Sequence, residues 1–343
     1  MEENRLYTDW EIIVSNAHAS FTEARAKGEA DLLEVPHSCL RIGREIGKGA
    51  FGHVFIANAS KLPHCNGPKL VAVKQLKKCP KRKPEFEEFL DEIAMMKQVG
   101  KHPNIVALLG CCTLKEPLTM IMEYIGCGDL VTMYTTLSGP NDSSREHSAL
   151  EYLLDHKELH DFARQIACGM KHLEEKNITH RDLAARNILI DEKKTLKISD
   201  FGLSRTGIYV NTRNKKVPLR WLSIEAMRDH LYSSKSDVWA FGIVLWEIGT
   251  LGGYPYPTVS NHELLSFLHN GNRLDRPENC SAELYELMLH CWKAEPDDRP
   301  SFADIYKSLE PHRRIYIDFN EIEPTYVFPP TSDQIKKILV NNK

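Results

Sequence analysis

Three features are missing from this sequence of 343 residues, and each absence excludes a class of protein. The formal net charge is −3, whereas a general nucleic-acid binder normally shows a strongly basic balance. No apolar run of signal-peptide type opens the chain, and the most apolar long stretch, Val238 to Leu251, is too short for a bilayer and contains Glu247. The nine cysteines form no CxxC pair, which argues against a disulfide framework or a zinc site. We therefore expect a globular chain with no nucleic-acid partner and no membrane span, in a reducing compartment.

Composition and periodicity divide the chain into segments of different character. Short β-type stretches follow a charged leader, and apolar residues then recur at three- and four-residue spacing, as in helices. We predict an α+β, bilobal fold with a small β-rich lobe containing one main helix and a larger, mainly helical lobe. The predicted segments are a leader at 1–39, a domain at 40–312 (small lobe 40–124, hinge 123–128, large lobe 129–312 with a short insert at about 137–156) and a tail at 313–343.

The most informative motif is HRDLAARN, His180 to Asn187, which is followed by DFG, Asp200 to Gly202. Asp182 can accept the proton of an incoming hydroxyl group. Asn187 and Asp200 carry hard oxygen ligands for magnesium, which neutralises charge on the phosphates of ATP. In this order the two motifs resemble the active site of protein kinases.

A glycine-rich stretch and a lysine precede these motifs. Gly47, Gly49, Gly52 and Val54 form GxGxxGxV between two β-type stretches, where backbone amides can approach phosphate oxygens. A dinucleotide-binding turn has a similar glycine pattern, but it should open a helix, whereas HVFIANA continues as a strand. Lys74 ends the strand-like VAVK, and the kinase resemblance implies that it holds the α- and β-phosphates.

The carboxylate partner of Lys74 is expected on the helix EFEEFLDEIAMMKQV. At about 100° per residue, Glu92 lies beside Met96 at the edge of the apolar stripe. Three other glutamates fit better as solvated side chains: Glu85, Glu87 and Glu88. A Lys74–Glu92 pair would form only when this helix packs inward, so it would report the active state.

The kinase resemblance also implies an adenine pocket. Met122 would guard the back of this pocket, and the backbone of Glu123 and Ile125 would bind the adenine edge. Three apolar side chains would enclose the adenine ring: Val54, Ala72 and Leu189.

Two places in the sequence favour tyrosine over serine or threonine as the acceptor. Kinases that act on serine and threonine typically carry a lysine two residues after the catalytic aspartate, but here Ala184 holds that position. Arg186 follows, and by resemblance to tyrosine kinases it supports the catalytic loop. KVPLRW puts Pro218 ahead of Trp221, which is similar to the platform on which tyrosine kinases rest the residues flanking a phenol.

The segment SIEAM departs from the usual APE motif, since Ser223 and Ile224 replace alanine and proline. Glu225 remains, and we expect it to pair with Arg299 of DDRPSF as a structural ion pair. The departure therefore does not weaken the catalytic prediction.

Tyrosines outside the catalytic motifs suggest regulation. Tyr209 is the only tyrosine between DFG and Pro218, in a segment rich in basic residues. A phosphate there would gain charge-assisted contacts, with Arg181 as the partner that the family implies, so we predict that Tyr209 is the activating autophosphorylation site. The alternative is a Tyr209 that only packs or resembles a substrate, beside solvated basic residues. In the tail, Tyr316 and Tyr326 are candidate docking sites for modules that read phosphotyrosine.

Within the kinases, the resemblance is to receptor tyrosine kinases of the fibroblast, platelet-derived and vascular growth factor and Tie groups. HPNIVALLGCCT, DFGLSR and LHCWKAEPDDRPSF carry it. It implies ATP with Mg²⁺ or Mn²⁺, tyrosine-containing protein substrates, self-association during trans-autophosphorylation, phosphotyrosine-reading adaptor domains, and a cytoplasmic location on the intracellular side of a plasma-membrane receptor. Two alternatives stay open: a serine/threonine or dual-specificity kinase, and a pseudokinase scaffold, which would normally have lost Lys74, Asp182 or Asp200.

Overall fold

The structure is a computed structural model that describes residues 31–48, 52–77, 84–138, 156–210, 218–277 and 280–310. These residues form two compact units. The first extends to Gly126 and includes Asp200–Ser204, and the second comprises Cys127–Ser199 and the residues from Arg205 onward. The α+β prediction with a β-rich and a helical lobe is confirmed, and the DFG segment belongs to the first unit. Among the described helices, none is both long and apolar enough to cross a bilayer.

The first unit is built on a five-stranded antiparallel sheet with strand order β1-β2-β3-β5-β4. Its strands are β1 (Leu40–Lys48), β2 (Gly52–Ala59), β3 (Lys69–Leu76), β4 (Leu108–Cys112) and β5 (Thr119–Glu123). Side chains alternate along β3, so Val71 and Val73 are buried in the core while Ala72 and Lys74 lie on the opposite face. Because Lys74 pairs with Val54 of β2, these two side chains share that face.

Helix α1 (Pro84–Val99) packs its apolar stripe into the first unit. The proline stands at the first helical position, where a missing amide hydrogen costs nothing, and Gly100, with a φ of 72°, follows the last residue. The stripe residues Phe89, Ile93 and Met96 are buried. Glu88 is also buried, so its assignment to the solvated face is wrong. It lies one turn before Glu92 on the same face of the helix.

Residues 31–39, which composition assigns to the leader, are packed onto the first unit. Glu34 forms a parallel bridge with Cys111 of β4, and Val35 is fully buried. The buried Glu34 carboxylate accepts hydrogen bonds from the amide and the hydroxyl of Thr113, at 2.6 and 2.7 Å. Since these donors offset the cost of burying a charge, this part of the leader is docked in the structure.

The second unit is mainly helical. Its described helices are α2 (Leu130–Ser138), α3 (His156–Glu175), α4 (Ile224–Arg228), α5 (Ser234–Gly249), α6 (Leu264–His269), α7 (Ala282–Cys291) and α8 (Phe302–Ser308). Ser233 caps α5 by accepting a hydrogen bond from the amide of Lys235. Helix α5 is almost completely buried although it contains Asp237 and Glu247. It is therefore the central helix of this unit, and its two acidic residues need hydrogen-bond donors.

Short two-stranded antiparallel ribbons hold the loops of the second unit. They pair β6 (Ile178–Thr179) with β9 (Arg205–Thr206), β7 (Ile188–Ile190) with β8 (Leu196–Ile198), and β10 (Tyr209–Val210) with β11 (Leu231–Tyr232). Strand β6 ends directly before His180, and β7 begins directly after Asn187. The two strands thus hold both ends of the HRDLAARN loop.

Candidate active site

Lys74 and Glu92 form a close ion pair in the first unit. The Lys74 Nζ donates to both carboxylate oxygens of Glu92, at 2.6 and 2.8 Å, and the two side chains are only 13% and 4% exposed. Burial lowers the pKa of Lys74, but the negative charges of Glu92 and Asp200 outweigh it and hold this pKa above its usual value. Lys74 is therefore a fixed cation, as binding of phosphate oxygens requires.

Asp200 starts the DFG turn in the same unit. Its φ of 62° lies in the left-handed region, which non-glycine residues seldom adopt. Its Oδ1 accepts a hydrogen bond from the amide of Gly202 at 3.3 Å, and its side chain is exposed. A Cβ atom at Gly202 would lie 3.3 Å from Oδ1 of Asp200 and 3.6 Å from Oε2 of Glu92. The glycine thus lets the turn approach both carboxylates closely.

The glycine motif begins in β1 and ends in β2. Gly47 pairs with Val54 across these strands. Gly52 packs against β3 so closely that a Cβ atom there would clash with the carbonyl oxygen of Gln75. Only glycine fits at this position without a shift of the backbone. Gly49 lies outside the described residues.

The predicted adenine residues of the first unit lie on β3, on β5 and just beyond β5. Ala72 pairs with Met122, and both side chains are half-buried, as is that of Ile125. Glu123 is fixed by Ala107, because its amide donates to the Ala107 carbonyl at 3.0 Å and its Oε1 accepts from the Ala107 amide at 2.7 Å. An adenine edge would therefore meet the carbonyl of Glu123 and not its amide.

In the second unit, Asp237 of α5 anchors the start of the HRDLAARN loop. Its carboxylate accepts hydrogen bonds from the amides of His180 and Arg181, at 2.6 and 2.9 Å. Burial raises the pKa of Asp237 to about 7, although both amide donors favour the ionised form. The backbone of Arg181 has a φ of 70°, and the two hydrogen bonds to Asp237 hold it in this uncommon conformation.

Asp182, Arg186 and Asn187 lie together in this loop. An Nη2 hydrogen of Arg186 is donated to Oδ1 of Asp182 at 2.5 Å, and Nδ2 of Asn187 donates to the backbone carbonyl of Asp182 at 2.7 Å. Because the Asn187 nitrogen is used in this way, its amide oxygen is the atom suited to a metal ion. Asn187 and Asp200 thus both offer the hard oxygens that Mg²⁺ binds. Leu189, the predicted adenine residue of this unit, is half-buried on β7.

Tyr209 lies directly against Arg181 in the second unit. The guanidinium carbon of Arg181 is 4.4 Å from the ring centroid of Tyr209 and 4.2 Å from that of Tyr232. Tyr209 and Tyr232 are paired residues of the β10–β11 ribbon. The predicted regulatory pair is therefore in contact, and Tyr232 is an additional member of the cluster.

The residues that the sequence analysis uses to predict tyrosine as the acceptor also belong to the second unit. Ala184 is fully buried, whereas Pro218 and Trp221 are half-exposed around a 3₁₀ turn. The expected Glu225–Arg299 ion pair is present, with a shortest N–O distance of 2.7 Å. The replacement of APE by SIE therefore leaves this pair intact.

Sequence reasoning missed Asp237, Glu247 and Tyr232. For the two acidic residues a signal existed, since a charged side chain within an apolar helix must find hydrogen-bond donors. For Tyr232 we find no local signal, because its contacts are made across a ribbon. The tail tyrosines Tyr316 and Tyr326 lie outside the described residues.

Comparisons with known proteins show which family the sequence matches. A family model described as protein tyrosine and serine/threonine kinase matches residues 40–309. The fibroblast growth factor receptor of Strongylocentrotus purpuratus is 40% identical over 284 residues, which cover 81% of this chain and 29% of that protein. Fibroblast growth factor receptor 1 of Xenopus laevis is 41% identical over 293 residues, covering 81% and 35%. The tyrosine kinase receptor Cad96Ca of Drosophila melanogaster is 39% identical over 302 residues, covering 86% and 39%. The chain thus spans 29–39% of the length of these relatives.

Proposed function

The chain belongs to the protein tyrosine and serine/threonine kinase family, and we propose that it transfers the γ-phosphoryl group of ATP to tyrosine side chains of proteins. The observation that carries this proposal is the buried Lys74, which is bonded to both oxygens of Glu92. In protein kinases this ion pair must be in place for phosphoryl transfer. A pseudokinase scaffold would have no need to maintain it together with Asp182 and Asp200.

The nucleotide would be bound by the Lys74 cation, by backbone amides of the glycine loop and by a metal ion held by two side chains. Lys74 binds the α- and β-phosphates, and the backbone amides of the glycine loop approach the phosphate oxygens. Asn187 and Asp200 would hold Mg²⁺ through oxygen atoms, and Mn²⁺ suits the same ligands. When bound, the metal ion neutralises the negative charge of the phosphates. Because phosphoryl transfer depends mainly on positioning and charge stabilisation, these fixed groups supply most of what the reaction needs.

Asp182 acts on the acceptor. As the phenol oxygen attacks the γ-phosphorus and the bond from the γ-phosphorus to the bridging oxygen breaks, releasing ADP, Asp182 orients the hydroxyl group and accepts its proton. The bond from Arg186 to Oδ1 restricts rotation of this carboxylate, and the bond from Asn187 to the Asp182 carbonyl fixes the backbone beneath it. The protein therefore presents a base whose side chain and backbone are both held.

Tyrosine is the proposed acceptor because of the residues around Asp182. Ala184 stands where serine/threonine kinases typically carry a lysine. An alanine contributes no charge near the acceptor, and here its side chain is buried. Pro218 and Trp221 offer a half-exposed apolar surface suited to the residues that flank a phenol. The relatives reported above are named as receptors for a growth factor and as a tyrosine kinase receptor, which supports the same acceptor.

Regulation is proposed to centre on Tyr209. Its ring lies on the Arg181 guanidinium, and Arg205 lies 5.7 Å from the same ring. A phosphate on Tyr209 would exchange a cation–aromatic contact for charge-assisted hydrogen bonds to these cations. We infer that this exchange orders the segment and activates the enzyme by autophosphorylation between two copies of the chain.

The receptor context is a further part of the proposal. The relatives are receptors of which this chain covers only a part, so we propose that it is the cytoplasmic signalling region of a plasma-membrane receptor. Tyr316 and Tyr326 of the tail would then recruit phosphotyrosine-reading adaptor domains. The sequence places prolines close to Tyr326, a pattern typical of the extended peptides that such domains bind.

One phosphorylation assay tests the proposed activity. The purified chain, ATP and Mg²⁺ are incubated with a peptide library that contains tyrosine and serine acceptors. We expect phosphotyrosine to form, and we expect Asp182→Asn to lower the rate by about 100-fold or more while ATP affinity stays near that of the parent.

The matched control is Asp161→Asn, which changes an exposed aspartate of α3 by the same single atom. It should leave the rate unchanged. Phosphoserine as the main product would overturn the tyrosine assignment. An Asp182→Asn rate within a factor of two of the parent would overturn the role of Asp182.

A further inference from the structure

The side chain of Arg186 lies between Asp182 and Trp221. Its Nη2 donates to Oδ1 of Asp182 at 2.5 Å, and its guanidinium carbon lies 4.4 Å from the centroid of the Trp221 ring. The Arg186 side chain is 35% exposed, so it would keep several rotamers if no neighbouring surface packed against it. The face of the Trp221 indole is such a surface, because cations are attracted to the face of an aromatic ring.

Trp221 is in turn held by Glu247. The indole Nε1 donates to Oε2 of Glu247 at 3.0 Å, and the same oxygen accepts the amide of Ala185 at 2.9 Å. Glu247 lies on α5 and is 2% exposed. One buried carboxylate thus binds both the indole and the backbone residue next to Arg186, which sets the distance between the ring and the catalytic loop.

Two features argue that this arrangement serves more than packing. Trp221 and Asp182 line the same small cleft of the second unit, so the indole borders the space around the reactive carboxylate. Trp221 also lies at the end of the segment that follows Tyr209, whereas Asp182 belongs to a loop held by α5. Because Arg186 contacts both residues, the orientation of Asp182 depends on the placement of Trp221.

We propose that Trp221 and Glu247 are positioning residues that hold Arg186, and through it Asp182, in the orientation needed for phosphoryl transfer. This inference rests on the proposed tyrosine kinase activity. It predicts that the ring of Trp221 affects kcat only by holding the Arg186 side chain in place. A Trp221 that only supports the fold or only contacts the peptide would act independently of Arg186.

A double-mutant cycle separates these cases. Trp221→Phe retains a ring face, and Trp221→Leu retains apolar bulk without one; both are made in the parent and in an Arg186→Ala background. We expect Leu to lower kcat about 10-fold in the parent and Phe to lower it less, with the KM for ATP unchanged, since a small displacement of a catalytic group has effects of this size or larger. In the Arg186→Ala background, Phe and Leu should differ by less than about 2-fold from each other and from Trp.

Glu247→Gln keeps the shape of the side chain, and its amide oxygen can still accept the two hydrogen bonds that Oε2 of Glu247 accepts, so it should lower kcat less than Glu247→Ala. The matched control is Trp246, a half-exposed tryptophan of α5 whose Nε1 donates to the carbonyl of Asp275. Trp246→Leu should leave kcat unchanged in both backgrounds. Melting temperatures of all variants show whether any loss reflects unfolding, and the Phe/Leu comparison in folded protein then decides.

Equal losses for Trp221→Leu in the two backgrounds would overturn the proposal, as would a parent-like kcat for this variant. A loss confined to the KM for peptide would show that Trp221 only binds substrate, and would overturn it too. If the parent itself phosphorylates no tyrosine peptide, the proposed function fails and this inference fails with it. An active parent with independent effects of the two residues contradicts the inference alone.

Discussion

Breaking the Glu225–Arg299 ion pair should destabilise the second unit strongly without altering the chemistry. The Arg299 side chain is fully buried, and its two Nη atoms donate to the two oxygens of Glu225 at 2.7 and 2.8 Å. It also donates to three backbone carbonyls, of Lys293, Lys235 and Ala294. Glu225→Gln would leave the guanidinium bound to these carbonyls but without its counter-charge.

The size of the effect follows from burial. Removal of one partner of a buried ion pair costs about 3–5 kcal/mol, because the remaining charge is left uncompensated. For a domain of this size, 1 kcal/mol corresponds to roughly 2–4 °C in the melting temperature, so Glu225→Gln should melt roughly 10 °C below the parent. The exposed pair Arg228–Asp229 at the end of the same helix is the matched control. Asp229→Asn should leave the melting temperature unchanged, since solvent screens exposed pairs.

Thermal and urea unfolding followed by circular dichroism measure the stability, and peptide phosphorylation at low temperature measures the chemistry. Folded Glu225→Gln should retain a kcat close to the parent value. Arg299→Met should be destabilised similarly, and the double variant should lose less than the sum of the two, because neither charge is then left alone. A loss below about 1 kcal/mol for Glu225→Gln would refute the reasoning from burial.

Three further substitutions test the site. Lys74→Met should lower the rate at least about 100-fold. Adding Glu92→Gln to this variant should restore any lost melting temperature, because the second substitution neutralises the carboxylate that lost its partner, but it should not restore activity. Recovery of activity would contradict the role of Lys74. Tyr209→Phe should keep its initial rate after preincubation with ATP and Mg²⁺ while the parent accelerates, and equal acceleration would contradict activation through Tyr209. Asp237→Asn should lower kcat about 10-fold or more without weakening ATP binding, because an amide oxygen accepts only one of the two loop amides well; parent-like kcat in folded protein would show that this anchor is dispensable.

Contacts set by local spacing could be predicted from the sequence. Once the kinase resemblance implied a carboxylate partner for Lys74, the helical period of α1 was enough to choose Glu92, and the two side chains do meet. The same period failed for Glu88, because a face at the edge of an apolar stripe can be covered by residues from elsewhere in the chain. Helical spacing shows which side chains share a face, but not how much of that face is covered.

Contacts between distant segments could not be predicted. The bond from Asp237 to the amide of His180 joins residues 57 positions apart, and that from Glu34 to Thr113 joins residues 79 apart. Such pairs leave no periodic pattern, since each partner looks like an isolated polar residue in its own segment. Only the fold brings them together, which is why the sequence does not predict the anchors of the HRDLAARN loop.

These anchors explain how a short loop can hold a reactive carboxylate. Asp237 and Glu247 lie on one buried helix, and they bind the backbone amides of Arg181 and Ala185, which stand on either side of Asp182. Burying two acidic groups is costly, so the arrangement does not stabilise the fold as apolar side chains in their place would. It fixes the backbone of Asp182 at two points of a single rigid element. A rearrangement of the side chains around the Arg181 guanidinium, such as we propose for phosphorylation of Tyr209, therefore need not move the backbone of Asp182.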